Sequence, residues 1–426
     1  MEVTADLVEA MERNDTSILD QETEQTLTDL GFLIVGEDSE LKRYLDRYEE
    51  SKIRGGRLSL KVFLATGCNL GCPYCYQSAP NRPKDVISDE MLDRLHVWLD
   101  KECRDGTPAI DLEFYGGEPL LARRSLVGFI EKLSGAAIAY GTSINYSIIT
   151  NATLLNDTLI NLFKRHKVHM QITVDGGAET HDARRFFKGT KKGSFDLIVQ
   201  KLERIAELGA VDLIRLRMNV DAQNISDIEP VATLARRLGI MDFSAARVHF
   251  REKAVSYPHM IDPDRENPLE ENPPELEMFR VMARYGYADS PASLESKTTC
   301  MYHWERGFAV SQSMHLFKCD ELIDHPEHSV GFINESGELV LNYAAHRQAV
   351  ERKPTDFEHC TSCRYLPQCG SGCSIRALNT KGTPHENYCE ETYASIKRKI
   401  ELYLRAEAEG LIPESGSVGC SHCSCS

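Results

Sequence analysis

No apolar run in this 426-residue chain approaches the length of a membrane-spanning helix, which excludes a helical membrane span. The opening MEVTADLVEAMERNDTS has neither the basic start nor the apolar centre of a signal peptide, so the expected compartment is the cytoplasm. An excess of basic residues is also missing. Lysine plus arginine number 49 against 65 acidic residues, a formal charge of −16. That balance disfavours nonspecific binding to nucleic acid or to anionic membranes, and neither is expected as a partner. No internal repeat is present. Cysteine, by contrast, is plentiful: there are 14, and in a reducing compartment they are read as metal ligands before disulfides. Ten of them fall into two groups with ligand-like spacing.

The length allows two or three domains. Residues 1–57 read as helix, a short GFLIV strand and a second helix, SELKRYLDRYEESK, with no evident chemistry. From Leu58 short β-rich runs alternate with amphipathic helical segments, the pattern of a parallel α/β domain over 58–255. The runs are Leu58–Ala65, Ile110–Tyr115, Ile144–Thr150, His169–Val174, Leu213–Val220 and Phe243–Phe250. Six units are too few to close an eight-stranded barrel, so the fold class is α/β with a partial (β/α)6 barrel, whose ligand site lies at the C-terminal strand ends. Four runs end in polar or glycine-rich sequence: TGCNLGC, GGEP, TNAT and DGG. Residues 256–299 open with a proline-rich, acidic linker or loop over the barrel mouth. A cysteine-rich domain over 300–395, with hairpin-like runs such as GFINESGELVLN, and a helix with a GCSHCSCS tail over 396–426 complete the chain.

In TGCNLGCPYCYQ, Cys68, Cys72 and Cys75 are spaced C-x3-C-x2-C directly after the first strand. A structural zinc site wants four ligands and disulfides want pairs. Three thiolates suit a cubane cluster that takes its fourth ligand from elsewhere or keeps one iron open. With Tyr74 just before the last cysteine, the loop resembles that of the radical S-adenosylmethionine enzymes. The resemblance implies that the open iron chelates S-adenosylmethionine, which one electron cleaves to methionine and a 5′-deoxyadenosyl radical. It further implies that Gly116, Gly117 and Glu118 of GGEP meet the methionine amino group, with the Glu118 carboxylate aimed at the ammonium. Thr150 and Asn151 are candidates for the ribose, Asp175 for a hydroxyl and Arg184 for a carboxylate. Arg217, Arg247 and His249 lie on candidate strands, where alternation sends half the side chains outward.

The second group runs Cys300, Cys319, then CTSCRYLPQCGSGC with Cys360, Cys363, Cys369 and Cys373, then Cys389. C-x2-C-x5-C-x3-C followed by a distant cysteine resembles the SPASM extension of the same enzymes, with a zinc knuckle as the alternative. The resemblance implies two auxiliary [4Fe–4S] clusters: one held by Cys360, Cys363, Cys369 and Cys389, the other by Cys300, Cys319 and Cys373. Two departures stand out. The family's glycine five residues before the second cysteine is Met314 here, and the second of these clusters is one thiolate short. Either a tail cysteine (Cys420, Cys423 or Cys425) completes it, or its fourth iron stays open for a substrate thiolate, the preferred reading of the two. Asp320, next to Cys319, stands where sulfatase-maturing relatives carry a residue thought to take the substrate proton. Cys103 is expected buried in a helix, and His315, His325 and His328 at the surface or behind the ligands. The resemblance therefore implies a peptide-modifying enzyme that forms a cross-link or oxidation in a ribosomally made precursor peptide, served by an electron donor such as flavodoxin or ferredoxin. A sulfatase-type maturase is the second reading and a non-catalytic iron–sulfur electron carrier the third.

Overall fold

The computed structural model describes residues 20–21, 40–75, 77, 85–221, 223–247, 274–287 and 299–411. The GFLIV run, His249, most of the proline-rich linker and the three tail cysteines lie outside them. The chain divides into two compact units, Met1–Ser51 and Lys52–Ser426. Of the first, the described part is chiefly helix α1, Glu40–Ile53, whose last residues belong to the second.

In the second unit six parallel strands lie in sequence order: β1 (Leu58–Ala65), β2 (Ala109–Gly116), β3 (Ser143–Thr150), β4 (His169–Thr173), β5 (Ile214–Val220) and β6 (Asp242–Arg247). They alternate with α2 (Asp89–Arg104), α3 (Arg123–Tyr140), α4 (Asp157–His166), α5 (Ala178–Arg184), α6 (Phe195–Glu207) and α7 (Ile228–Arg237). α8 (Pro274–Arg284) follows. Among the described residues β6 does not return to β1, so the expected partial barrel is present as an open sheet. Strand alternation makes its two faces. Leu58, Leu60, Val62 and Leu64 of β1 join Ile110, Leu112 and Phe114 of β2 in the core under the helices. The intervening residues Lys61, Phe63, Glu113 and Tyr115 take the opposite, more polar face. Register pairs Lys61 with Glu113 and Phe63 with Tyr115. The helices close the first face with apolar stripes. α2 buries Leu92, Leu95, Trp98, Leu99 and Cys103, and it starts at Ser88, whose hydroxyl accepts from Met91 N.

The sequence reading did not anticipate what borders β1 on its other side. β7 (Gly307–Val310) pairs parallel with β1, and β8 (His315–Phe317), β9 (Gly331–Ile333) and β10 (Leu339–Leu341) extend the sheet antiparallel to ten strands. The GFINESGELVLN hairpin is β9–β10. α9 (Tyr343–Glu351), the short α10 (Glu358–Thr361) and α11 (Leu366–Cys369), α12 (Ser374–Lys381) and α13 (Glu390–Ala408) complete the described chain. Met314 turns the β7–β8 hairpin at φ 63°, the left-handed conformation that glycine adopts freely. The backbone cost of about 1–2 kcal/mol is offset by full burial of the Met314 side chain, a gain of roughly 1.5–3 kcal/mol. Substitution of the family glycine is therefore compatible with the same turn.

Candidate active site

The loop carrying Cys68, Cys72 and Cys75 leaves the C-terminal end of β1, and it is held from two sides. On one side Gly71 N donates to Phe186 O at 2.7 Å and Lys188 N to Asn69 O at 3.0 Å. On the other, Gly117 N donates to Ala65 O at 2.7 Å and Glu118 N to Gly67 O at 2.9 Å. A Cβ at Gly116 would lie 2.0 Å from Ala65 O, and one at Gly117 2.2 Å from Gly67 O. The double glycine is thus needed for the end of β2 to lie against the root of the cysteine loop.

Glu118 departs from its expected role. Its side chain is fully buried and faces inward: Oε1 accepts from Leu120 N (2.9 Å) and Thr150 Oγ1 (2.6 Å), and Oε2 from Asn151 N (2.8 Å). Burial raises its pKa and these three bonds oppose the rise. The carboxylate expected to meet an ammonium instead joins the ends of β2 and β3. Thr150 Oγ1 takes part in the same junction and also accepts from Ala152 N at 3.0 Å. Asn151 keeps a place beside the loop, with Nδ2 2.9 Å from Asn69 Oδ1 and 3.7 Å from Cys68 Sγ.

Asp175, at the end of β4, is likewise turned inward. Its Oδ1 accepts from Asn219 N at 3.0 Å, and its Oδ2 accepts from the Tyr74 hydroxyl. Arg185, which the sequence reading passed over for Arg184, donates to Tyr74 Oη at 2.5 Å and lies 3.6 Å from Asp175 Oδ2. These three residues tie the cysteine loop to the ends of β4 and α5. Burial opposes the charge of Arg185, but Tyr74, Cys72 and Asp175 outweigh it and raise the pKa. Arg184 pairs with Asp221 at 2.9 Å and sits 5.5 Å from the Tyr74 ring. Burial pushes the Cys68 thiol up to about 12 and also raises Cys72, so without metal these thiols stay protonated, and loading a cluster releases their protons.

His181 supports Asp175 from behind. Buried, it accepts from Asp175 N at Nδ1 (3.2 Å) and meets Ser194 Oγ at Nε2 (3.1 Å). Burial, then the charges of Arg185 and Arg184, lower its pKa from 6.5 to about 3. The unfolded chain therefore takes up this proton first, so the contribution is present above pH 6.5 and is lost as the pH falls towards 3. The expected slope from this one group is about 1.4 kcal/mol per pH unit below the unfolded value. Denaturant titrations from pH 7 to 5 should show it, and His181→Gln should lose that share of the slope. An unchanged slope would contradict the assignment.

Cys360, Cys363, Cys369 and Cys389 line one pocket with His359, Leu366, Ser371, Asn387 and Tyr388, around a cavity of about 40 Å³. Cys300, Cys319 and Cys373 all lie within electrostatic range of the buried Tyr302 phenol, whose pKa burial raises. His303, which sequence reasoning missed, is buried beside them, with Nδ1 3.7 Å from Cys300 Sγ and Nε2 3.5 Å from Ser374 Oγ. The C-x2-H spacing was the signal available. Among the described residues no three His, Cys, Asp or Glu side chains converge where a single ion would sit. His315 is exposed, and His325 faces Glu327. Cys103 is buried in α2, as expected.

Asp320 lies where the two halves of the sheet meet. Lys61 Nζ of β1 is 3.2 Å from Asp320 Oδ2, 3.0 Å from Glu113 Oε1 and 5.0 Å from the Tyr115 ring centroid. Burial works against the Lys61 charge, yet Asp320 and Glu113 outweigh it and raise its pKa. Nearby, Phe63 of β1 packs with Tyr302, Leu322 and Ile375 of the cysteine-rich segment. That segment therefore covers the face of β1 that carries Lys61.

A cysteine loop at the end of β1, braced by GGEP, matches the family model of the Radical SAM superfamily over residues 62–235. That segment is a Radical SAM domain. A domain of this superfamily uses S-adenosylmethionine and a [4Fe–4S] cluster. It is 24% identical over 366 residues to a cysteine-type anaerobic sulfatase-maturating enzyme of Clostridium novyi, covering 79% of this chain and 93% of the relative. Native anSMEcpe with bound AdoMet and Cp18Cys peptide shares the fold at TM-score 0.60 and 16% identity, over 83% of this chain and 99% of that one. Streptococcus suis SuiB bound to precursor peptide SuiA shares it at 0.53 and 14%, over 92% and 94%. No described helix of this radical SAM chain is long and apolar enough to cross a membrane.

Proposed function

We propose that this enzyme abstracts hydrogen from a residue of a peptide or protein and leaves a cross-link or an oxidation. In this reading Cys68, Cys72 and Cys75 hold the S-adenosylmethionine cluster. Cys360, Cys363, Cys369 and Cys389 hold one auxiliary cluster, and Cys300, Cys319 and Cys373 supply three ligands of the other. The four-thiol pocket and the three-thiol loop are donor sets of the right chemistry for these groups. When bound, the cofactor and its cluster supply a 5′-deoxyadenosyl radical by one-electron cleavage. The protein's own residues position the loop, through Gly117, Tyr74 and Asp175. On the polar face they also hold Asp320, which takes the proton made acidic once a neighbouring hydrogen has gone.

The observation that carries this reading is the contact of Lys61 on β1 with Asp320 beside Cys319. It brings a basic group from the cysteine-rich segment onto the barrel's own face, an arrangement that electron transfer alone does not need. The names of the two solved relatives, each with a peptide bound, support a peptide as substrate. Asp320 also favours the second reading, a sulfatase-type maturase, which the Clostridium novyi relative supports. Both are tested by incubating the loaded, reduced enzyme with short peptides encoded beside its gene and with a sulfatase-derived peptide, each deuterated at the candidate residue. The expected result is deuterium in 5′-deoxyadenosine and loss of two hydrogens from one peptide. Release of 5′-deoxyadenosine with every peptide unchanged in mass would contradict a peptide substrate.

A further inference from the structure

Arg352 is only 3% exposed, yet its guanidinium has no carboxylate partner among the described residues. Other arginines do have one: Arg347 pairs with Glu351 and the partly buried Arg398 with Glu275. The Arg352 Nη2 donates to Ser371 O at 3.1 Å and Glu386 O at 3.0 Å, and the guanidinium carbon lies 4.9 Å from the Phe357 ring centroid. Nε and Nη1 are buried with no hydrogen-bond acceptor among the described residues. Two carbonyl dipoles and a ring face do not balance a full charge. A buried cation left without an anion costs several kcal/mol, so the fold implies a counter-charge beyond the side chains around it.

The surroundings indicate where that charge lies. Ser371, whose carbonyl accepts from Arg352, lines the pocket of Cys360, Cys363, Cys369 and Cys389. On the other side Arg352 is within electrostatic range of Tyr302, the phenol that Cys300, Cys319 and Cys373 also reach. Arg352 is thus bonded to the lining of one group of thiols and within electrostatic range of a phenol that the other group reaches, and each group becomes anionic when it ligates iron. We infer that Arg352 is the buried counter-cation of the auxiliary clusters, and that its charge and its two unpaired nitrogens raise their reduction potential. The inference rests on the ligand assignments proposed above. Its physical basis is that a reduced cluster carries one more negative charge than the oxidised one, so a nearby fixed cation favours reduction.

The test uses the full chain with Cys68, Cys72 and Cys75 replaced by alanine, so that only auxiliary clusters titrate. Absence of iron from that parent would sink the cluster assignment itself, before Arg352 is touched. Arg352→Met should keep about eight irons, and its ratio of reduced to oxidised cluster at a fixed potential should fall at least tenfold, equivalent to about 59 mV for one electron. Arg352→Lys, which keeps the charge, should stay closer to the parent than Arg352→Met does. Loss of iron in Arg352→Met but not in Arg352→Lys would also support the counter-cation role. Equal potentials in parent and Arg352→Met, or equal loss of iron from both variants, would overturn it. Those outcomes would leave Arg352 as a bridge between two carbonyls only.

Discussion

Replacing Cys68, Cys72 and Cys75 together with alanine is expected to remove about four irons per chain and all cleavage of S-adenosylmethionine, while about eight irons remain. The variant should fold. The loop is held by backbone bonds from Gly71, Lys188, Gly117 and Glu118, none of which uses a thiol. Of its anchoring side chains, Tyr74 keeps its bond to Asp175 and Asn151 its bond to Asn69, losing only the 3.7 Å contact with Cys68 Sγ. Iron content, circular dichroism and 5′-deoxyadenosine under dithionite would be measured on the same anaerobic preparation. Full cleavage activity in this variant would remove the loop from the account. Loss of all the iron would mean that the auxiliary sites depend on it, contrary to the separate lining of the four-thiol pocket.

Asp320→Asn is expected to leave S-adenosylmethionine cleavage intact and lower product formation by roughly 100-fold or more, the usual contribution of a positioned base. Asparagine keeps the shape and an oxygen for the Lys61 ammonium, now at 3.2 Å, but removes the basic oxygen. The distinguishing readout is the ratio of 5′-deoxyadenosine to product, which should rise as cleavage becomes unproductive. A plain structural role would lower both together. Equal product yields from variant and parent would discard Asp320 as the base.

Much of the fold could be read from the sequence because its physics is local. Strand alternation, helical stripes and the cysteine spacing each report on neighbours in the chain, and β1 to β5 lie within a residue or two of the expected runs. The long-range pairings were not legible. Nothing in GFAV indicates that β7 pairs with β1, 242 residues or more earlier, or that Lys61 meets Asp320 across the join. The same limit explains Glu118 and Asp175. Carboxylates at strand ends read as ligand contacts, but whether they face a cavity or a neighbouring backbone depends on tertiary packing, and both face inward. Arg185 was lost to its neighbour because adjacent arginines are indistinguishable until the end of α5 orients them. The buried Arg352 likewise carries no local mark in AVERKPTD of its missing partner.

The central claim is that a three-thiol loop at the end of β1 arms this chain for radical chemistry. Its most direct test is the amount of 5′-deoxyadenosine formed by the unaltered protein, loaded anaerobically to about twelve irons and reduced with dithionite in the presence of S-adenosylmethionine. The account predicts 5′-deoxyadenosine and methionine in equal amounts. A fully iron-loaded, reduced protein that leaves S-adenosylmethionine uncleaved would contradict it.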